Sequence, residues 1–185
     1  MRKLAVATML VIVLATPALA DDGKPKPAAV VVHAGGGVVT VGTIYWAGTD
    51  STTSVGPYMT LGADVLLGRH ASIGAYFVYS DLDEVILRSA GVSLKVRFPI
   101  GEMFEVRIGV GAAYQSADLY VSNTDTVPIY GLGVAPFAEL GITPHRNFGL
   151  ALQVSGISQP VGGNAAFEAT WYPVPTMALL GEVRL

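Results

Sequence analysis

Three side chains in this sequence have the types and order of a nucleophilic triad: His70, Ser72 and Glu84. In such a set the serine hydroxyl attacks, the histidine accepts its proton and the carboxylate orients the imidazole, which requires all three to touch. The surrounding residues argue against contact. Gly68-Arg69-His70-Ala71 reads as a tight turn, and Glu84 falls in a polar stretch over residues 81–88. The intervening strand separates the two by roughly 30 Å at about 3.3 Å per residue. The expectation is that no catalytic site forms here.

Other chemistries lack their residues. The chain has no cysteine, which removes disulfides, thiolate nucleophiles and thiolate metal ligands. His33, His70 and His145 are far apart and never at the four-residue spacing that puts two ligands on one helical face, so no zinc site is expected. Gly35-Gly36-Gly37 lacks the lysine and helix of a phosphate loop and reads as a turn or the flexible start of a strand. No cofactor is expected.

The charged residues that remain have a pattern. Lys95, Arg97, Glu105, Arg107, Glu139, Glu182 and Arg184 all sit on the parity opposite the large apolar residues of their segments. With the turn at Pro99 centred near Gly101, Arg97 lies opposite Glu105 and Lys95 opposite Arg107. With the next loop centred near Asn123, Glu139 also lies opposite Arg107. Facing charges of opposite sign pair across strands, so the seven form a ladder inside whatever the strands enclose. A structural plug is favoured over a gate or proton path, because an eight-stranded barrel is just wide enough for side chains to fill.

The elements that carry this ladder are strands. In residues 104–115, Val106, Ile108, Val110, Ala112 and Tyr114 alternate with Glu105, Arg107, Gly109, Gly111, Ala113 and Gln115. The same two-residue period runs through 58–67, 89–98, 130–140, 148–155 and 177–185, the mark of strands with one wet and one dry face. Tyr45, Trp46, Tyr58, Tyr79, Tyr114, Tyr130, Trp171 and Tyr172 fall near strand ends, as interfacial aromatic girdles do. Turns at 68–71, 99–102 and 143–147 are tight; those at 47–57, 81–88, 116–127 and 158–164 are longer, the two-rim arrangement of a transmembrane barrel.

Composition says which solvent the dry face meets. Charged residues make up 14% of the chain, against about 25% in soluble domains. After Lys26 the one lysine is Lys95. Residues 1–20 read as a cleaved signal peptide: Arg2-Lys3, an apolar run that stops at Thr16-Pro17, and Ala18-Leu19-Ala20 before Asp21. Beyond it no apolar stretch approaches the roughly 20 residues of a spanning helix. An exported apolar chain without such helices has the closed barrel as its membrane solution. Without Arg2 and Lys3, nine basic residues face fourteen acidic ones, which disfavours nucleic acid as a partner.

The expected fold is therefore all-β: a closed antiparallel up-and-down transmembrane β-barrel, with residues 21–37 an N-terminal linker and 38–185 the barrel domain. Nine segments read as strands, whereas single-chain bacterial barrels have an even number. Either 165–171 belongs to the last loop, giving eight, or 29–34 pairs as an extra strand, giving ten. Eight is preferred because 29–34 is short against the 9–11 residues of a spanning strand. A soluble, exported barrel of lipocalin type holding a small apolar ligand is the alternative; alternation alone does not separate the two, and the scarcity of lysine and charge favours the membrane.

Over residues 38–185 the pattern resembles the small outer-membrane β-barrel family, which includes the OmpA membrane domain and the OmpX and OmpW-like proteins. The final strand Met177-Ala178-Leu179-Leu180-Gly181-Glu182-Val183-Arg184-Leu185 is its most specific element. The resemblance implies a Gram-negative outer membrane as location, outer-membrane lipid and lipopolysaccharide as surroundings, and recognition of that strand by the barrel-assembly machinery. Members serve as anchors, adhesins, small-solute channels or lipid-modifying enzymes, so the fold alone does not choose among them. The order of His70, Ser72 and Glu84 is similar to that of outer-membrane lipid A deacylases, but Ile73 stands where that family has asparagine.

Overall fold

The structure is a computed structural model that describes residues 30–44, 54–82, 85–120, 126–156, 171–173 and 176–185. They form β1 (Val30–Ile44), β2 (Ser54–Leu67), β3 (Ala71–Leu82), β4 (Val85–Ile100), β5 (Phe104–Tyr120), β6 (Thr126–His145), β7 (Phe148–Ser155), β8 (Trp171–Pro173) and β9 (Thr176–Arg184). Consecutive strands from β1 to β7 pair antiparallel, β7 pairs with β9, β9 with β1, and β1 with β2, so the sheet closes on itself. The short β8 meets β1 at Ile44↔Trp171 and Val41↔Pro173, just beyond the point where Val38↔Met177 ends the β1–β9 ladder. β8 and β9 are thus two parts of one stave, and the barrel has eight. Segment 165–170 lies outside the described residues.

Alternation decides which residues face out. On β5, Ile108 is 54% exposed and Arg107 3%. The outward set includes Met59, Phe77, Val92, Leu94, Leu132, Leu152 and Leu179. The pairing of β9 with β1 closes the sheet, and a closed sheet is what permits strands to cross hydrocarbon.

Several expectations need correcting. The barrel begins at Val30, so residues 30–37 are strand rather than linker. Gly35 and Gly37 do not break β1; they let it lie close against its neighbour. A Cβ on Gly35 would fall on the Leu179 carbonyl oxygen, and one on Gly37 on that of Met177. The stretches 81–88 and 116–127 are mostly paired strand, since the β3–β4 ladder runs to Leu82↔Val85 and the β5–β6 ladder to Tyr120↔Thr126. Apolar residues on the inner parity explain this for β3 and β4, because Leu82 and Leu87 are buried inside the barrel. Tyr58 also points inward and is buried, while Tyr114 and Tyr130 face out and stack with ring centroids 6.4 Å apart. Tyr45 and Trp46 lie outside the described residues, as do the side chains of Trp171 and Tyr172.

One rim carries the three-residue turns at 68–70 and 101–103, the turn at 146–147, and both ends of the barrel, where Val30 and Leu185 exchange backbone hydrogen bonds. Gly68 and Gly101 open their turns at φ of 74° and 69°, and nothing lies within 4 Å of a Cβ at either. Glycine is there for the left-handed backbone, not for space.

Candidate functional site

The lumen is where chemistry-bearing side chains converge. Asp64 on β2, Lys95 and Arg97 on β4, Glu105 and Arg107 on β5, Glu139 on β6, and Glu182 on β9 are all buried there. Arg184 joins them from the turn rim with 15% of its side chain exposed. Four cations and four carboxylates thus share one space. Lys95 Nζ donates to Asp64 at 2.8 Å and to Glu139 at 3.0 Å. Glu139 accepts further bonds from Gln153 and Arg107, each at 2.9 Å. Arg107 also donates to Glu105 at 2.6 Å and, through both terminal nitrogens, to Glu182. Arg97 and Arg184 donate to the other side of the cluster through Glu105.

An ion leaving water for such a space loses several kcal/mol of hydration, on the order that only good pairing and further hydrogen bonds repay. Equal numbers of each sign and shared carboxylates meet that requirement. Glycines make the room: a Cβ on Gly141 would sit 2.6 Å from the Arg107 guanidinium, and one on Gly109 2.5 Å from the Phe137 ring. Phe137 in turn lies beside Lys95, whose ammonium is 5.2 Å from the ring centroid, within cation–π range.

All seven residues of the sequence-derived ladder lie in this cluster, but in a different register at one hairpin. Arg97 faces Arg107, and Lys95 faces Gly109, not Arg107. The turn 101–103 centres the hairpin on Glu102 rather than Gly101, which shifts the pairing by two residues and preserves parity. Arg97 therefore reaches Glu105 diagonally, and the like charges opposite one another are held by that shared carboxylate. Across β5 and β6, Arg107 does face Glu139.

Sequence reading left two members out of the ladder. Asp64 is on the expected polar face of β2, but its partner Lys95 is two strands away. His33 fell in the presumed linker; its Nε2 lies 3.6 Å from Asp64 Oδ2. Its odd-numbered position, shared with Val31 and Val39 on the inner face, is the signal that would have found it once β1 was taken to start at Val30.

Of the triad, the structure describes His70 and Ser72, and no hydrogen bond joins them. His70 is exposed in its turn, with Nδ1 3.3 Å from the Arg97 carbonyl oxygen. Ser72 is 1% exposed, facing the lumen. Glu84 lies outside the described residues; the flanking Leu82 and Val85 pair with one another at the other end of β3.

A second layer lies nearer the rim where β3 passes to β4. Val39, Tyr58, Val78, Leu82, Leu87 and Ala117 pack together inside the barrel. Between this layer and the ions is a cavity of about 30 Å³ lined by residues that include His33, Tyr76, Ser93, Lys95, Phe137 and Gln153.

A closed eight-stave sheet with an apolar exterior and a charged interior has the architecture of the small outer-membrane barrels, and solved structures show that fold. The barrel aligns with Neisserial surface protein A at a TM-score of 0.63 and 10% identity, over 85% of this chain and 98% of that one. It aligns with the N-terminal β-barrel domain of Pseudomonas aeruginosa OprF at 0.61 and 10% identity, over 86% and 100%. The outer membrane enzyme PagL aligns at 0.50 and 13% identity, over 85% and 100%. No protein-family model matches the chain, and no curated protein sequence does.

Proposed function

We propose that this chain is an integral outer-membrane β-barrel with a structural, binding or minor-channel role, whose lumen is largely plugged by its own ion pairs. The observation that carries the reading is the facing on β5, β6 and β9: Ile108, Leu132 and Leu179 look out while Arg107, Glu139 and Glu182 are buried inside. A soluble barrel carrying an apolar ligand needs the opposite arrangement. The surroundings it fits are outer-membrane lipid and lipopolysaccharide, reached after export by the signal in residues 1–20 and insertion by the barrel-assembly machinery. N-terminal sequencing of the exported protein is expected to begin at Asp21; Met1 would overturn the signal.

Turnover is not part of this reading. Ser72 is closed off from lipid inside the wall, and His70 is engaged at the turn rim. PagL, an enzyme, shares the fold, so the question is put directly to this chain. Purified protein is expected to leave lipid A intact and to give little or no conductance in planar bilayers. Large stable channels would overturn the plug, and deacylation that disappears with Ser72→Ala would overturn the non-enzymatic reading. Glu139→Ala, which leaves Lys95 and Arg107 each short of a partner, is expected to loosen the plug, read as a lower unfolding midpoint in phospholipid vesicles.

A further inference from the structure

We propose that the lumen is closed twice, by the charged plug on the turn side and by an apolar layer on the loop side, and that the space between binds a small cluster of ordered water. The inference rests on the reading of a membrane barrel with an occluded lumen, and it goes further by assigning a ligand and a second seal.

The chamber is the cavity of about 30 Å³. One water needs roughly 10–15 Å³ by this measure, so there is room for about two. The walls are polar in a way that protein partners do not satisfy. His33 Nδ1 and Tyr76 Oη are buried and have no hydrogen-bond partner in the protein, although His33 as a whole is 3% exposed. Thr60, Ser89, Ser93 and Ser155 also line the space. Buried polar atoms without partners are costly, and native structures pair them with protein or with ordered water. An apolar ligand would leave these atoms unpaired; water pairs them. A further ion has no uncompensated counter-charge to meet among the described residues, which place four groups of each sign in the lumen.

The two seals work differently. On the turn side, Lys95 bridges Asp64 and Glu139 across the lumen at 2.8 and 3.0 Å, so passage requires separating ion pairs. On the loop side, Leu82 and Leu87 are 3% and 0% exposed and pack with Val39, Val78 and Ala117. They come from β1, β3, β4 and β5, and an apolar constriction of this kind stops ions by excluding water. Weakening either seal alone admits solvent to the chamber from one side and leaves the other side closed.

The absence of cysteine makes the chamber addressable. Ser93→Cys places a thiol in its wall, and Met103→Cys at the exposed turn is the control. Both are reconstituted in phospholipid vesicles and treated with a small, charged, membrane-impermeant thiosulfonate from each side, with heat-shifted gel mobility verifying folding. In the otherwise unmodified barrel Ser93→Cys is expected to react at least 100-fold more slowly than the control. Adding Lys95→Met with Glu139→Gln removes one charge of each sign and is expected to open the thiol from the turn side alone. Adding Leu82→Ser with Leu87→Ser is expected to open it from the loop side alone. Only the four substitutions together are expected to give conductance in planar bilayers. Conductance from either pair alone, or rapid labelling without any of them, would overturn the double seal while leaving a membrane barrel intact. Stable conductance from the unmodified protein would overturn the occluded reading itself.

Discussion

Arg107 and Ile108 are consecutive residues of β5, and they occupy two different solvents. Arg107 is buried among Glu105, Glu139 and Glu182, and both of its terminal nitrogens donate to these carboxylates. Ile108 faces outward across from Val96 and Ala138, with no polar group to answer. A half-turn of backbone separates a site that requires charge from one that cannot hold it. The strand period alone does this, which is why parity is the most informative quantity in the sequence. The comparison also shows what sort of order each face imposes. Outside, any large apolar side chain serves; inside, each ion fixes its neighbours.

Substitutions at the two positions should therefore fail for opposite reasons. Arg107→Met has the larger expected effect, because it leaves three carboxylates short of their shared partner. Removing one member of a buried ionic set costs about 3–5 kcal/mol. Reversible urea unfolding in phospholipid vesicles measures it, and an unchanged midpoint would mean that the lumen is wet enough to solvate the acids. Combining Arg107→Met with Glu182→Gln sharpens the point: part of the loss is expected to return, since the second change removes an acid left under-compensated.

Ile108→Arg tests the other face. A guanidinium on the lipid side near the bilayer midplane costs about 2–4 kcal/mol, falling toward the interfaces. The same unfolding measurement in vesicles and in detergent micelles separates this from a packing defect, because the penalty is expected to shrink in micelles. Stability unaffected in vesicles would place this face away from hydrocarbon and undo the assignment of inside and outside.

Which parts of this architecture could be read from the sequence follows from the range of each interaction. Facing was legible because it is local: β5 and β6 alternate without exception from Glu105 to Gln115 and from Tyr130 to Leu140. The composition of the ladder was legible for the same reason. Register was less so, because one left-handed glycine moves the β4–β5 pairing by two residues, and only the turn backbone reveals that. The start of β1 was least accessible. Three consecutive glycines usually weaken a strand, and what holds them here is a close approach to β9, a segment about 145 positions away in sequence by the Gly35↔Leu180 pairing. Asp64 was missed on similar grounds, since its partner Lys95 is two strands away rather than on an adjacent strand.

The smallest effect is expected where the same chemistry occurs outside the barrel. Arg88 donates to Asp118 at 2.7 Å, within the range of distances in the lumen, but the two side chains are 44% and 24% exposed. They sit toward the loop end of β4 and β5, on the outward parity. Water competes for both groups and ordering two side chains costs entropy, so an exposed pair contributes about 0.2–1 kcal/mol. Arg88→Ala is expected to cost no more than that. Raising salt from 0.1 to 1 M shortens the screening length from about 10 Å to about 3 Å. The effect of Arg88→Ala is therefore expected to fade at high salt, whereas that of Arg107→Met persists, because buried pairs are screened far less. Parallel unfolding series at the two salt concentrations decide the matter. If both effects fade together, the lumen is open to bulk electrolyte and the distinction between inner and outer ion pairs is lost.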